Sequence, residues 1–177
     1  MSTSKNLGNI KTPLFIHAQE LEKYSYPQES MFVTQRATRT RELLMQLGIF
    51  TGNCGRESTP VPATIQELNK FHSTKYLEAL QHAAKGKMPA EGVHMGFGTP
   101  DCPVFNDMFD YAAWACGATL TGAELILSGK TDIAFNPSGG FHHARAEKAS
   151  GFCYMNDLVL ACLLHKTPLD LAWLKFT

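Results

Sequence analysis

Between Gly129 and Pro137 the chain carries a short run, Thr131-Asp132-Ile133-Ala134-Phe135-Asn136, that is apolar at its centre and too brief for a helix. Helical periods flank it, and this alternation constrains the fold more than any other feature. Before it, Asn106 and Asp107 can cap a long helix running to about Leu127, with Gly129 as its C-terminal stop. The small residues Ala112, Ala113, Ala115, Gly117 and Ala118 predict that this helix packs closely on a neighbour. After it come a loop from Pro137 to about Met155, a helix from Asn156 or Asp157 to about Leu164, and a break at Pro168. Leu169 to Phe176 can form one further strand. Helices alternating with buried strands define an α/β class, a parallel sheet with flanking helices. Ligands of such sheets sit beyond the carboxyl ends of the strands, and the loop after Asn136 is at such an end.

The N-terminal half has the same character. Leu14 to His17 reads as a first strand, and Tyr24 to Ser30, with Pro27, reads as loop. Thr34 to Leu47 has helical spacing at Ala37, Leu43, Leu44 and Leu47, with Gly48 as its stop. Gly52 to Pro62 is expected as loop. Thr64-Ile65-Gln66-Glu67 has the capping-box pattern, and a second helix follows His72-Ser73, with Tyr76, Leu77, Leu80, Ala83 and Ala84 on one side and Gly86 beyond. Lys87 to Cys102 reads as a long surface loop. The whole is expected to be one domain over residues 1–177, with 1–12 a flexible tail.

Composition excludes several classes. With 16 basic and 16 acidic residues among 177, and 44% hydrophobic, the chain is neither a polyelectrolyte nor a disordered tail. Zero net charge argues against direct nucleic-acid binding, and no apolar run is long enough for a membrane span. The polar start, Met1 to Lys11, lacks the apolar block of a signal peptide, so the cytoplasm (or, in a eukaryote, the nucleus) is the expected compartment. Five cysteines without a Cys-x-x-Cys pair argue for reduced, mostly buried thiols.

Chemistry concentrates in the loop after Asn136. Gly139-Gly140 lets the backbone turn sharply, and His142-His143 follows at once. Two adjacent imidazoles can divide labour: one takes and returns a proton, the other stays cationic beside developing negative charge. Gly151-Phe152 would place an open backbone carbonyl beside an aromatic wall, which suits a narrow apolar channel. Taken singly, a His-His pair is more often a surface feature and Gly-Gly an ordinary turn; their order after a strand carries the inference. Cys153 reads as a packing thiol.

The segment GGFHHARAEKASGFCYMND, Gly139 to Asp157, resembles the signature of the zinc-dependent histone deacetylase family, which includes bacterial acetoin-utilization relatives. Asp101-Cys102-Pro103-Val104-Phe105 with Phe109-Asp110-Tyr111, Phe71-His72-Ser73 with Tyr76-Leu77, and Thr131 to Asn136 extend the resemblance over about residues 14–165. It implies an arginase/deacetylase-like fold and removal of acetyl groups from acetyl-lysine or an acetylated small amine. By the same resemblance His143 is the general base and acid, and His142 its electrostatic partner. Phe152 lines the tunnel, the Gly151 carbonyl accepts from the substrate amide, and Asp101 holds the substrate backbone at the rim. Arg36 sits in a channel beneath the site. Without the resemblance, Asp101 would be read as a loop cap and Arg36 as a solvated helix residue.

In that family zinc is held by an Asp-x-His segment on the next strand and by a distant second Asp, and a further tyrosine polarises the substrate carbonyl. None of these occurs here. Asp170 is the single carboxylate of Leu169–Thr177, and Phe176 stands where the family places a carboxylate that orients a histidine. The Zn(2+) ligands are therefore expected to be absent, the fold truncated partway, and the chain inactive alone. A sheet cut there would also leave an open edge and bare apolar surface. Two other readings remain open. One is a non-catalytic half-domain that binds acyl-lysine-like ligands, forms an oligomer or pairs with a complementing chain. The other, weaker one is a cofactor-free hydrolase using the histidine pair.

Overall fold

The computed structural model describes residues 11–50 and 55–164. Three short parallel strands form a sheet of order β2-β1-β3: β1 is Leu14–Ile16, β2 is Arg56–Ser58 and β3 is Ala134–Phe135. Phe15 lies opposite Glu57 on one side and Phe135 on the other, and Leu14 lies between Arg56 and Ala134. Between the strands run a 3-10 turn (Gln19–Lys23) and helices α1 (Arg36–Gln46), α2 (Ile65–Leu68), α3 (Thr74–Ala84) and α4 (Met108–Leu127). Helix α5 (Asp157–Leu163) comes last. The α/β class with a parallel sheet and flanking helices is as read from the sequence.

Local chemistry sets these boundaries. Thr64 and Glu67 form the reciprocal capping box at α2, and the Ser73 hydroxyl caps α3 by accepting from the Tyr76 N–H. Asp107 does stand at the start of α4, but its left-handed backbone turns its carboxylate away from the first-turn N–H groups and it makes no cap bond. The small residues of α4 do their expected work. A Cβ on Gly117 would fall 1.9 Å from the Val61 carbonyl oxygen, because the 61–63 loop lies directly on the helix and Ala63 donates to Ala113 O at 2.9 Å. Gly122 brings α4 onto the face of the sheet formed by Ile16 and Ala134. The core lies between α3, α4, α5 and the loop preceding α5, around Tyr76, Leu80, Met108, Tyr154 and Leu160.

The structure departs from the sequence reading at several points. Arg56–Ser58, read as loop, is an edge strand; its polar, mostly exposed side chains give no alternation to detect. The 3-10 turn at Gln19–Lys23 was likewise not foreseen. The run at Thr131–Asn136 is a strand over two residues and is not buried: Ile133 and Phe135 are 48% and 50% exposed. Nothing among the described residues covers that side of β3. Lys11 and Thr12, placed by sequence in the tail, are held by hydrogen bonds to Asp132 and Thr131. The candidate strand Leu169–Phe176, with Asp170 and Phe176, lies outside the described residues. Of the cysteines, Cys102, Cys116, Cys153 and Cys162 are free thiols, the first three buried; Cys54 lies outside the described residues. No described helix is long and apolar enough to cross a membrane.

Candidate active site

The loop between β3 and α5 is irregular, so its polar backbone must find partners elsewhere. It finds them in a set of buried side chains. The Asp157 carboxylate, fully buried at the first turn of α5, accepts from the Gly140 N–H at 2.9 Å, the Phe141 N–H at 2.7 Å and the Thr119 hydroxyl. Burial pushes its pKa up, against the opposing effect of those donors. Asn156 caps α5 through its side-chain oxygen on the Val159 N–H, and its amide donates to the carbonyls of His142 and Ala144. Buried His72 bridges Ala146 O, through Nδ1, and the Asn156 N–H, through Nε2. Burial lowers its pKa to about 4, so the neutral ring is the form these two bonds use.

Two tyrosines fix the far limb of the loop. Tyr26 donates to Phe152 O and Tyr76 to Tyr154 O, each at 2.7 Å, and burial drives both hydroxyls well above the usual range. Asp101 accepts from the Gly151 N–H at 2.7 Å and from the Thr99 hydroxyl, and these bonds hold its carboxyl below the usual range. In this structure Asp101 therefore anchors the Gly151 turn. The Gly151 carbonyl accepts a weak bond from the Cys153 thiol at 3.2 Å. Burial pushes that thiol up to about 11, in keeping with a packing role.

The result is a fixed pair of imidazoles. The rings of His142 and His143 lie 4.1 Å apart, and His142 Nδ1 is 3.0 Å from Gly140 O. His143 rests directly on Gly151: a Cβ there would fall 2.7 Å from His143 Cδ2, and the Gly151 backbone has φ +54°. Phe152 is also left-handed, at φ 65°, a strained state for a residue with a Cβ and one that concentrates at functional sites. Its ring stacks on Phe32 at 5.6 Å, and the Arg36 guanidinium lies 4.7 Å over the other aromatic's centre and 3.5 Å from Gly139 O.

The structure thus gathers His142, His143, Gly151, Phe152, Asp101 and Arg36 around one loop. Sequence reasoning missed Phe32, Tyr26, Asn156, Asp157 and His72. The Asn-Asp pair stood at the predicted helix start, where capping was a legible signal; Tyr26 lay in a stretch read as plain loop, and Phe32 between that loop and the next helix. Both imidazoles are exposed. A shallow cavity of about 530 Å³ lies along Ser73, His94, Arg145 and Lys148 and includes neither ring of the pair.

Among the described residues no three histidine, cysteine or carboxylate groups converge on a metal position, so these residues do not by themselves fit the ion.

The histidine pair lies on the loop beyond the carboxyl end of β3, where open parallel sheets place their ligands. Comparison with known proteins narrows the class. The histone deacetylase domain matches residues 30–169, and the chain belongs to the histone deacetylase family. It is 38% identical over 153 residues to the acetoin utilization protein AcuC of Bacillus subtilis, spanning 86% of this chain and 39% of that protein. It is 37% identical over 160 residues to histone deacetylase 8 of Xenopus tropicalis, spanning 89% and 42%. The crystal structure of a histone deacetylase homolog from Aquifex aeolicus superposes with a TM-score of 0.75 at 28% identity, over 86% of this chain and 40% of that one. The chain therefore spans about two-fifths of the length of these relatives. The family is zinc-dependent.

Proposed function

We propose that this chain carries the proton-transfer half of a deacetylase site that acts on acetyl-lysine or a similar acetylated amine. The observation that carries the reading is the imidazole pair, 4.1 Å ring to ring, set on a glycine turn with His143 seated on Gly151. In this role His143 takes a proton from the attacking water and returns it to the leaving amine, while His142 balances charge beside it. In this reading the stacked Phe152 and Phe32 rings would line the path of the lysine stem, and the Gly151 carbonyl, which accepts from the Cys153 thiol in the free chain, would accept the amide N–H. In the family zinc supplies Lewis-acid polarisation, and the described residues by themselves offer it no site.

The reading predicts that an acetyl-lysine peptide, titrated against the chain at millimolar concentration, shifts the ring C–H resonances of His142 and His143. The unacetylated peptide leaves them in place, and Phe152→Ala removes the response. An acetyl-independent response would overturn the assignment. Alone, the 177 residues are expected to take up less than stoichiometric zinc and to leave the peptide intact. Metal-dependent turnover abolished by His143→Ala would refute that part. Exposure of both rings favours a second reading, in which the chain binds acylated amines without turning them over.

A further inference from the structure

The turn that follows the histidine pair carries positive charge that no ion pair among the described residues neutralises. Arg145 and Lys148 are joined by a backbone bridge: the Arg145 N–H donates to Lys148 O at 2.8 Å and the Lys148 N–H to Arg145 O at 3.4 Å. Neighbouring segments clamp this turn from both sides. Ala146 O accepts from the Ser73 N–H at 3.3 Å and from His72 Nδ1 at 3.2 Å, and the Ala149 N–H donates to Met95 O at 2.8 Å. Gly96 permits the second contact, since a Cβ there would fall 2.2 Å from Ala149 O. The backbone is thus fixed while both cationic side chains are exposed. The ion pairs among the described residues are His17–Glu22, Arg41–Glu57 and Lys75–Glu91. Neither Arg145 nor Lys148 belongs to one, although Glu147 stands between them.

Both cations line the shallow cavity of about 530 Å³, with Asn69, Phe71, His94 and Glu147 among the other walls. Asn69 already accepts from the Thr74 hydroxyl through its side-chain oxygen, which leaves its N–H groups to donate. A concave surface with several donors, and two formal positive charges against one negative, favours a carboxylate or phosphate group. In a chain of zero net charge this excess is local. We infer that the pocket is an anion subsite that takes the acidic side chain of a peptide ligand. Its place on the loop points to a peptide. Arg145 is two residues past His143 and Lys148 three before Gly151, so each Cα lies within about 10 Å, measured along the chain, of the positions proposed to meet the acetylated amine. An extended peptide covers the same distance in two or three residues. That the neighbouring residue is acetyl-lysine rests on the proposed function; the charge preference rests on the pocket. The clamped backbone lowers the ordering cost of binding, and the exposure of the charges limits the gain to a modest factor.

The test is fluorescence anisotropy of the 177-residue chain with short labelled acetyl-lysine peptides. They carry either glutamate or glutamine two residues from the acetylated position on each side. The glutamate peptide is expected to bind about 5-fold more tightly, a preference that fades as sodium chloride rises from about 0.05 M to about 0.5 M. Arg145→Gln combined with Lys148→Gln should abolish the preference, and Glu147→Gln should enlarge it. Both variants should keep the thermal midpoint, because the side chains are exposed and backbone bonds hold the turn. Lys85→Gln removes the same charge at the far end of α3 from Ser73 and should leave the preference intact. Equal binding of the two peptides, a preference that survives the double substitution, or one that Lys85→Gln weakens as much would each overturn the inference. So would inorganic phosphate that shifts the Arg145 and Lys148 amide resonances while the two peptides bind alike, since the pocket would then serve a free anion. A charge preference kept by the unacetylated peptides supports the pocket and refutes the acetyl-lysine reading. Acetyl-dependent binding that ignores the glutamate does the reverse.

Discussion

His72 makes the stability of this fold depend on pH, and the size of the effect follows from its surroundings. The ring is buried, its Nδ1–H donates to Ala146 O at 3.2 Å, and its Nε2 accepts from the Asn156 N–H at 3.0 Å. Protonation would place a second N–H against that donor and a charge in the core. The folded pKa is thus lowered from 6.5 to about 4. For a group depressed in this way the unfolded chain binds the proton first. Stability is full above pH 6.5 and declines as the pH falls toward 4. Between pH 7 and pH 5 the loss is about 2 kcal/mol, which moves a urea midpoint by roughly 1 M. His72→Gln keeps a polar atom near each partner and removes the titration. Subtracting its pH profile from that of the native chain isolates the His72 contribution from other groups. Asp157 in particular bends the profile the other way, since its raised pKa lowers stability as the pH rises through it. Parallel wild-type and His72→Gln profiles between pH 5 and 7 would refute the reasoning, as would a protonated imidazole at pH 5.5 in the folded chain by nitrogen-15 NMR.

Two further substitutions probe packing at and beside the site. Asp157→Ala strands the Gly140 and Phe141 N–H groups in the interior, at about 1–3 kcal/mol each; urea denaturation should show a loss in that range or above, and hydrogen exchange should quicken at those two amides. Gly117→Ala drives a methyl into the Val61 carbonyl, so the 61–63 loop must lift from α4, and the thermal midpoint should fall by several degrees, consistent with a cost of about 1–3 kcal/mol. An unchanged midpoint would mean that the contact is slack.

Much of the architecture was written in local chemistry. The α4 small-residue run, the Thr64 box, the Ser73 and Asn156 caps and the Gly129 stop each act within a few residues of themselves, so periodicity and capping rules reach them. The same holds for the loop between β3 and α5: Gly139-Gly140, the histidine pair and Gly151-Phe152 lie within one short segment, and their order pointed to the proposed proton-transfer chemistry. What the local pattern could not supply were relations across the chain. Arg56–Ser58 becomes a strand because β1 offers it hydrogen bonds, and nothing in its own polar side chains calls for one. Asp101 reaches fifty positions along the chain to hold Gly151, and Tyr26 reaches still further to Phe152, so their roles exist only once the chain is folded.

Sequence by itself determined the parallel α/β plan and the family, since each depends on residue type and short-range spacing. Tertiary structure alone decided that the two imidazoles face solvent and that, among the described residues, nothing covers one side of β3. Burial is a sum over distant neighbours, and no periodicity within Thr131–Asn136 records whether another layer lies on top of it.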